Sequence, residues 1–458
     1  MPQHDVIIIG GGISGLTALH YVKTRRPDLS VMLYEADNRL GGTVGTDHTN
    51  GYSLDWGPNG FLDREPLTLQ LVEELGLGPQ LERANANVSN RFILRLGKLR
   101  SVPMSPPKFL TSDILSLSGR LRVLTEPFAA KAPDGIDESI YDFGKRRIGK
   151  EAADYLIQPM VSGVYGGVAS RMSLRACFPI MHEMESQYGS LFRAMIAKMR
   201  QAKREGKKSG GPSGPGGWLT SFKGGLSRFT DEFGKRYSSE ISLNKQVDSV
   251  SRKANLFVVR FTDNTETDTR ELILALPSNH ASKVTGHLSA PLSKTLAAIP
   301  YAPIAVVCFG YDSVKVRASL DGFGFLVPSK EKKQILGSIW TSSIFADRAP
   351  VGKVQFRTMV GGDGDHDSAK LSDGEMIELV ARDLDSIVGL TGDPELVRIY
   401  RWEYGIPQYH LGHLERVQTI ERELSAISGL HLTGNAYYGI SLNDCVKQSF
   451  KVVKNLAI

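Results

Sequence analysis

The amino terminus constrains the fold more than any other stretch of this chain. An apolar run, Val6-Ile7-Ile8-Ile9, leads directly into Gly10-Gly11-Gly12-Ile13-Ser14-Gly15 and then into a helix-compatible segment at 16–25. A strand that ends in G-x-G-x-x-G and continues as a helix opens a dinucleotide-binding βαβ unit. The first glycine makes the tight turn, the second lets backbone approach a pyrophosphate, and the third lets the helix pack against the strand. The phosphates then face the helix amino terminus. A second apolar run, Val31-Met32-Leu33-Tyr34, delivers Glu35 twenty residues after Gly15. A carboxylate there can accept hydrogen bonds from an adenosine ribose and would repel a 2′-phosphate, which argues against NADP.

A chain of 458 residues with 41% hydrophobic content can bury several cores, and its length suggests two to four domains. No run reaches the ~18 uninterrupted apolar residues of a membrane span, and no charged-then-apolar leader opens the sequence. Any membrane contact is therefore expected to be peripheral. Cys177, Cys308 and Cys445 are far apart and lack metal-type spacing, so they read as small buried hydrophobes in a reduced, intracellular chain. A net charge of +6 is too mild to suggest nucleic acid.

The distribution of charge says more. Arg193, Lys198, Arg200, Lys203, Arg204, Lys207 and Lys208 are opposed only by Glu205, while Leu191, Phe192, Met195, Ile196 and Met199 recur at helical spacing. Two readings stand: a basic amphipathic helix lying on an anionic membrane surface, or an ordinary surface helix running into a solvated loop. The following 209–217, built of serine, glycine and proline, reads as a mobile linker and a domain boundary. Beyond it, β-rich runs at 241–250, 256–262 and 269–276 suggest a meander returning to the nucleotide domain. Further strands are expected at 304–309, 324–327, 335–340, 354–360 and 430–433, with helices at 373–388 and 441–457. The nucleotide domain is thus discontinuous, its last pieces drawn from the far end of the chain.

Only one G-x-G-x-x-G is present, which argues against a reductase passing electrons from NAD(P)H to flavin and favours oxygen or a quinone as acceptor. Arg39-Leu40-Gly41-Gly42-Thr43 resembles the second half of the FAD fingerprint of the amine oxidase and phytoene desaturase superfamily. Five further blocks resemble the oxygen-dependent protoporphyrinogen oxidase family: Trp56-Gly57-Pro58-Asn59-Gly60-Phe61-Leu62, Gly322 to Pro328, Asp347-Arg348-Ala349-Pro350, Gly405 to Tyr409 and Gly434 to Cys445. They occur in the family's order, from residue 5 to the end. The resemblance implies a mixed α/β and α+β chain. Its parts are a Rossmann-like FAD domain (1–85, 218–298 and 405–458), an antiparallel-sheet substrate domain (299–404) and a helical membrane-binding domain (92–210) with a mobile basic, Gly/Pro loop at 200–217. Cys445 lacks a flavin-linking context, so the FAD is expected to be non-covalent.

By the same resemblance, Gly10, Gly11, Gly12, Ile13, Ser14 and Gly15 hold the pyrophosphate and Glu35 the ribose. Thr43, Gly57, Pro58, Asn59 and Gly60 hold the flavin half, with Arg39 and Gly42 in the same cofactor contact, and Val247 touches the adenine side through its backbone. Asn435, Ile440, Ser441 and Leu442 close over the ring system. Arg91 pairs with a propionate, a task suited to a guanidinium. Leu326, Ile339 and Met359 sandwich the macrocycle, and Gly163 lies at the pocket wall.

The implied reaction removes six hydrogens from protoporphyrinogen IX in three two-electron steps, each reducing one O2 to hydrogen peroxide. No strong protein base is needed, and no Ser/His/Asp set is present; His410 and His413 are weak metal evidence. A greasy substrate gives a reason for peripheral attachment at the cytoplasmic face of the membrane. A ferrochelatase is a candidate receiver of the product, and monomer and homodimer both remain open. The rivals are a coproporphyrinogen III oxidase of the same fold, another flavin amine oxidase or desaturase, and a catalytically silent FAD scaffold.

Overall fold

The amino-terminal run extends as strand His4–Ile9 and passes into helix Ile13–Arg25, which starts at once after Gly12 rather than at 16. A computed structural model describes residues 3–103, 105–133, 135–204 and 217–456. The expected linker up to 216, with Lys207 and Lys208, lies outside the described residues. His4–Ile9 pairs in parallel with Val31–Tyr34 on one side and Glu266–Leu274 on the other. Ile241–Ser242 and Leu430–Leu432 extend this parallel layer. Its central strands are apolar without alternation because both faces are covered. Helix Ile13–Arg25 and the last helix, Leu442–Lys454, cover one face. Helices Ser278–Thr285 and Ala290–Ala297 pack on the other.

The run expected at 241–250 divides in two. Asn244, in left-handed conformation at φ 55°, breaks it. Ile241–Ser242 therefore joins the parallel layer, and Val247–Lys253 begins the antiparallel meander with Leu256–Phe261 and Glu266–Leu274.

A second seven-stranded sheet runs in the order Leu396–Pro407, Tyr301–Asp312, Lys353–Gly361, Ile335–Trp340, Gly322–Leu326, Asn90–Arg95, Lys98–Ser101. Helix Asp373–Val388, started by a capping box between Ser372 and Glu375, sends Met376, Leu379, Val380 and Leu384 into one face. The other face looks toward the nucleotide half. Leu396–Pro407 went unanticipated because its residues alternate between exposed and half-buried at the sheet edge. The hairpin of Asn90–Arg95 and Lys98–Ser101 was also missed: its turn uses Leu96 at φ 49° and Gly97, not the Asn-Gly signal. The stretch expected to be helical from 92 therefore opens as part of this sheet, and its helices begin with Pro106–Thr111 and end with Leu191–Arg204.

Candidate cofactor and substrate site

The glycine fingerprint is packed as its spacing requires. A Cβ on Gly15 would lie 1.9 Å from the Gly10 carbonyl oxygen, and one on Gly10 would lie 2.5 Å from that of Ala275. Strand, turn and helix are in contact at both points, and no side chain fits. Gly12 differs: a Cβ there would meet nothing within 4 Å. The middle glycine faces open space at the carboxyl end of the parallel strands, next to the first turn of a helix. That is the cradle a pyrophosphate needs. Glu35 accepts the Gly11 N–H at 2.5 Å and the Asp37 N–H at 2.8 Å, which fixes its carboxylate beside the cradle and leaves lone pairs for ribose hydroxyls. Its main chain is tied to Ser242 and Lys245, and Val247 follows two residues on.

The second half of the fingerprint folds onto the first. Gly41 N–H donates to the Gly11 carbonyl at 2.8 Å, and Gly12 and Gly41 form a parallel bridge. Arg39 gives its donors to the carbonyls of Leu40, Gly42 and Val44 and lies over the Trp56 ring at 4.4 Å. It shapes this loop from within. Behind it, Gly57 lies back to back with Thr43: a Cβ would fall 2.1 Å from the Thr43 carbonyl oxygen. A Cβ on Gly60 would fall 2.7 Å from the Thr220 carbonyl oxygen, and Asn443 donates to the Leu62 carbonyl at 2.8 Å. Pro58 and Asn59 form the outer part of this loop.

The carboxyl-terminal block closes on the same edge. Tyr409 accepts the Gly439 N–H at 2.8 Å, donates to the Asn435 carbonyl at 2.7 Å and stacks on His413 at 3.9 Å. Burial lowers the His413 pKa to about 4, so the ring is neutral. Ser441 is committed to capping the last helix with Asp444, so its hydroxyl serves the turn that presents Ile440 and Leu442. Ser449 donates to the Ser14 carbonyl at 2.8 Å and ties that helix to the fingerprint. His410 pairs with Asp363 at 3.1 Å and His413 with the Tyr437 carbonyl, so the two histidines serve different partners. Among the described residues no group of acids, histidines and cysteines could hold a metal ion.

The proposed substrate residues come from the second sheet. Leu326 stands opposite Gly337, which stands opposite Met359; Gly324 stands opposite Ile339, which stands opposite Arg357. Directly opposed residues share a face, so Leu326, Ile339, Met359 and Arg357 lie on one side of the sheet, where Met359 and Arg357 meet the nucleotide half and Leu326 meets the helical segment. Gly163, on helix Gln158–Tyr165, touches the same surface: its Cβ would fall 2.4 Å from a Leu326 methyl. Arg91 lies over the Phe323 ring at 4.6 Å, and burial holds its pKa below the ordinary arginine range. Phe323 and Ile339 pack against the same small cluster, that of Ala84, Val88, Ile344 and Phe345.

Sequence reasoning missed Arg357 in particular. It is 6% exposed and donates to the Asp55 carbonyl at 3.2 Å and to the Gly57 carbonyl, joining that face to the Gly57 loop. A basic residue inside an apolar strand run was the available signal.

Residues 13–456 match the family described as flavin containing amine oxidoreductase. The chain belongs to that family. Its cofactor is FAD, and the cradle around Gly12 and Glu35 suits one. This flavin-containing oxidoreductase is 30% identical to a chloroplastic protoporphyrinogen oxidase of Oryza sativa subsp. japonica, over 99% of this chain and 88% of the rice protein. It is 28% identical to a coproporphyrinogen III oxidase of Bacillus subtilis, over 99% of this chain and 98% of that one. Among solved structures, a candidate protoporphyrinogen oxidase from Exiguobacterium sp. 255-15 superposes with a TM-score of 0.83 at 26% identity, covering 99% of this chain and 98% of that one.

Proposed function

We propose that this enzyme oxidises protoporphyrinogen IX to protoporphyrin IX, three O2 molecules each taking two electrons and two protons to become hydrogen peroxide. The observation that carries the reading is the shared face of Leu326, Ile339 and Met359, tied through Arg357 to the Gly57 loop beside the fingerprint. A wide, flat, apolar face next to a nucleotide cradle suits a macrocycle lying against a ring cofactor. Bound FAD supplies the hydride acceptor and returns the electrons to O2.

The chain's own residues do the positioning. Gly12 and the amino terminus of helix Ile13–Arg25 would hold the pyrophosphate, Glu35 the ribose, and the Thr43 and Gly57–Gly60 loops the ring half. Leu326, Ile339 and Met359 hold the macrocycle flat and exclude water, Gly163 leaves room for the Leu326 side chain at the wall, and Arg91 anchors a propionate from over Phe323. The pyrrole N–H protons leave as conjugation spreads, so no dedicated base is required.

Coproporphyrinogen III is the second reading, favoured by the names of the Bacillus subtilis and Staphylococcus aureus relatives. An anaerobic stopped-flow mix with each porphyrinogen, following flavin absorbance and porphyrin fluorescence, tests both. Fast bleaching by protoporphyrinogen IX, reversed by O2, supports the main reading; preference for coproporphyrinogen III replaces it; no bleaching by either removes both.

The helical segment is proposed to rest on a membrane surface. No helix among the described residues is long and apolar enough to cross one. Yet Leu117, Leu121, Phe128, Ile180, Met195, Ile196 and Met199 stand exposed there, with Lys198 and Arg200 beside them. The poorly soluble porphyrin would pass from that surface to a ferrochelatase.

A further inference from the structure

Arg357 is a buried cation in contact with no carboxylate; the Asp55 carboxylate acts on it only at longer range. Its two hydrogen bonds go to the carbonyls of Asp55 and Gly57. Asp55 is engaged elsewhere, accepting from Thr46 Oγ1 at 2.6 Å and from the Leu226 N–H at 3.0 Å and facing Arg348 at 3.4 Å. Cys308, opposite Arg357 in the neighbouring strand, is fully buried; burial pushes its thiol up to about 12, so no thiolate balances the guanidinium. Arg348 makes the contrast. It is equally buried, but it pairs directly with Asp55 and Asp347, with Glu82 3.8 Å away, and its remaining donors go to Ser221 and the Phe222 carbonyl. Arg348 is an ion-paired clamp, whereas Arg357 carries its charge to the Gly57 carbonyl with no acid against it.

Burying a guanidinium with no direct ion pair is costly and needs a reason. Given the reading that the Gly57–Gly60 loop holds the flavin half of FAD, on which this inference rests, an anion that forms during turnover supplies one. Hydride transfer from a substrate carbon brings the flavin two electrons and one proton, while the oxidised substrate releases its N–H proton to solvent. The ring system thereby gains one negative charge unless a second proton follows. A fixed cation in a water-poor site favours that charged form and needs no rearrangement when the charge appears. We propose that Arg357 stabilises the reduced, anionic flavin and so raises the reduction potential of the bound FAD. It acts on the cofactor's electronics rather than on the substrate, and its hold on Gly57 keeps the charge and the loop in register.

The test is made on the FAD-loaded enzyme and on Arg357→Lys and Arg357→Gln, each with its FAD content measured. The readouts are the midpoint potential and the affinity for sulfite, which adds to an electron-poor flavin. Arg357→Gln is expected to shift the reduced-to-oxidised ratio at least tenfold, about 30 mV for a two-electron couple, toward the oxidised form. It should weaken sulfite binding at least tenfold, while Arg357→Lys stays near the unaltered enzyme. A merely structural arginine would change FAD retention and leave the potential where it was. In the unaltered enzyme, the potential at neutral pH should fall by about 30 mV per pH unit, one proton per two electrons. Retained FAD with an unchanged potential in Arg357→Gln overturns the proposal. So does a slope of twice that size in the unaltered enzyme, which decides the matter even if the variant fails to fold. An unaltered protein that binds no FAD overturns the flavin reading instead.

Discussion

The nucleotide half and the helical segment are built on opposite plans. In the first, Val6, Ile7, Ile8, Leu16, Leu19 and Leu33 are fully buried and the polar work is done by backbone at the strand ends. In the second, small apolar clusters such as that of Phe143, Val161 and Met172 are joined inside by buried charge, and other apolar side chains face out. Arg147 and Glu126 are both fully buried and paired, and Glu126 also accepts from Ser190 Oγ and the Leu191 N–H. Arg146 grips Glu138 and Glu185 nearby. Meanwhile Phe128 is 85% exposed and Met199 64%. A water-facing fold gains nothing from that arrangement, since the hydrophobic effect drives the reverse. That exposed apolar surface is what the proposed membrane contact would cover.

The comparison breaks most directly at its charged centre. Arg147→Met leaves Glu126 buried without its partner, and the expected cost is about 3–5 kcal/mol. The double variant Arg147→Met/Glu126→Leu should recover much of it. Thermal unfolding of the three proteins checks this, and no recovery would mean that the network itself specifies the packing. In the nucleotide half the sensitive group is a missing methyl. Gly15→Ala places a Cβ against the Gly10 carbonyl oxygen, and about 3 kcal/mol of lost stability is expected. FAD should be absent from the purified variant, as absorbance would show. Arg91→Ala belongs to neither plan. It should keep its FAD and raise KM roughly thirtyfold, about 2 kcal/mol.

The two plans were unequally legible in the sequence. The parallel strands and the fingerprint could be read because local sequence, backbone geometry and burial agree there: Val31–Tyr34, Ile335–Trp340 and helix Asp373–Val388 fall where the pattern puts them. Arg39 and Ser441 were singled out by position, but their side chains support a loop and a helix cap, a distinction that depends on local backbone geometry. Arg357 and Arg348 were opaque as site residues because an arginine's burial depends on carbonyls and acids some 130 to 300 residues away. The hairpin at Leu96-Gly97 was hidden because its turn departs from the usual residues.

Between the two halves of the molecule, Glu82 offers a pH handle. Burial and the neighbouring Asp347 push its pKa up to about 7, although Arg348 works the other way. A carboxyl whose folded pKa is raised binds a proton more tightly in the native state. Stability should therefore fall as pH rises from the ordinary carboxylate range through about 7, and level off above it. Glu82→Gln removes that slope, and at pH 8 it should exceed the unaltered protein by on the order of 1 kcal/mol once solvent screening is allowed for. Denaturant midpoints at two pH values decide; parallel curves would show that Glu82 is ionised at little cost.

The smallest effect bears on the exposed apolar face itself. If that face meets a bilayer, replacing one residue removes only its own buried area. At about 25 cal/mol per Å2, Phe128→Ser and Met199→Ser should each weaken binding to anionic vesicles by about 1 kcal/mol, with turnover in detergent unchanged. The basic residues act by a separable route. Lys198→Gln and Arg200→Gln should cost a similar amount each on anionic vesicles and nothing on neutral ones, and the loss should vanish at high salt. A face that bound neutral and anionic vesicles equally, and lost nothing with Phe128→Ser, would not be a membrane surface. The exposed residues would then need another protein to cover them, and the contrast between the two plans would mark an interface between chains.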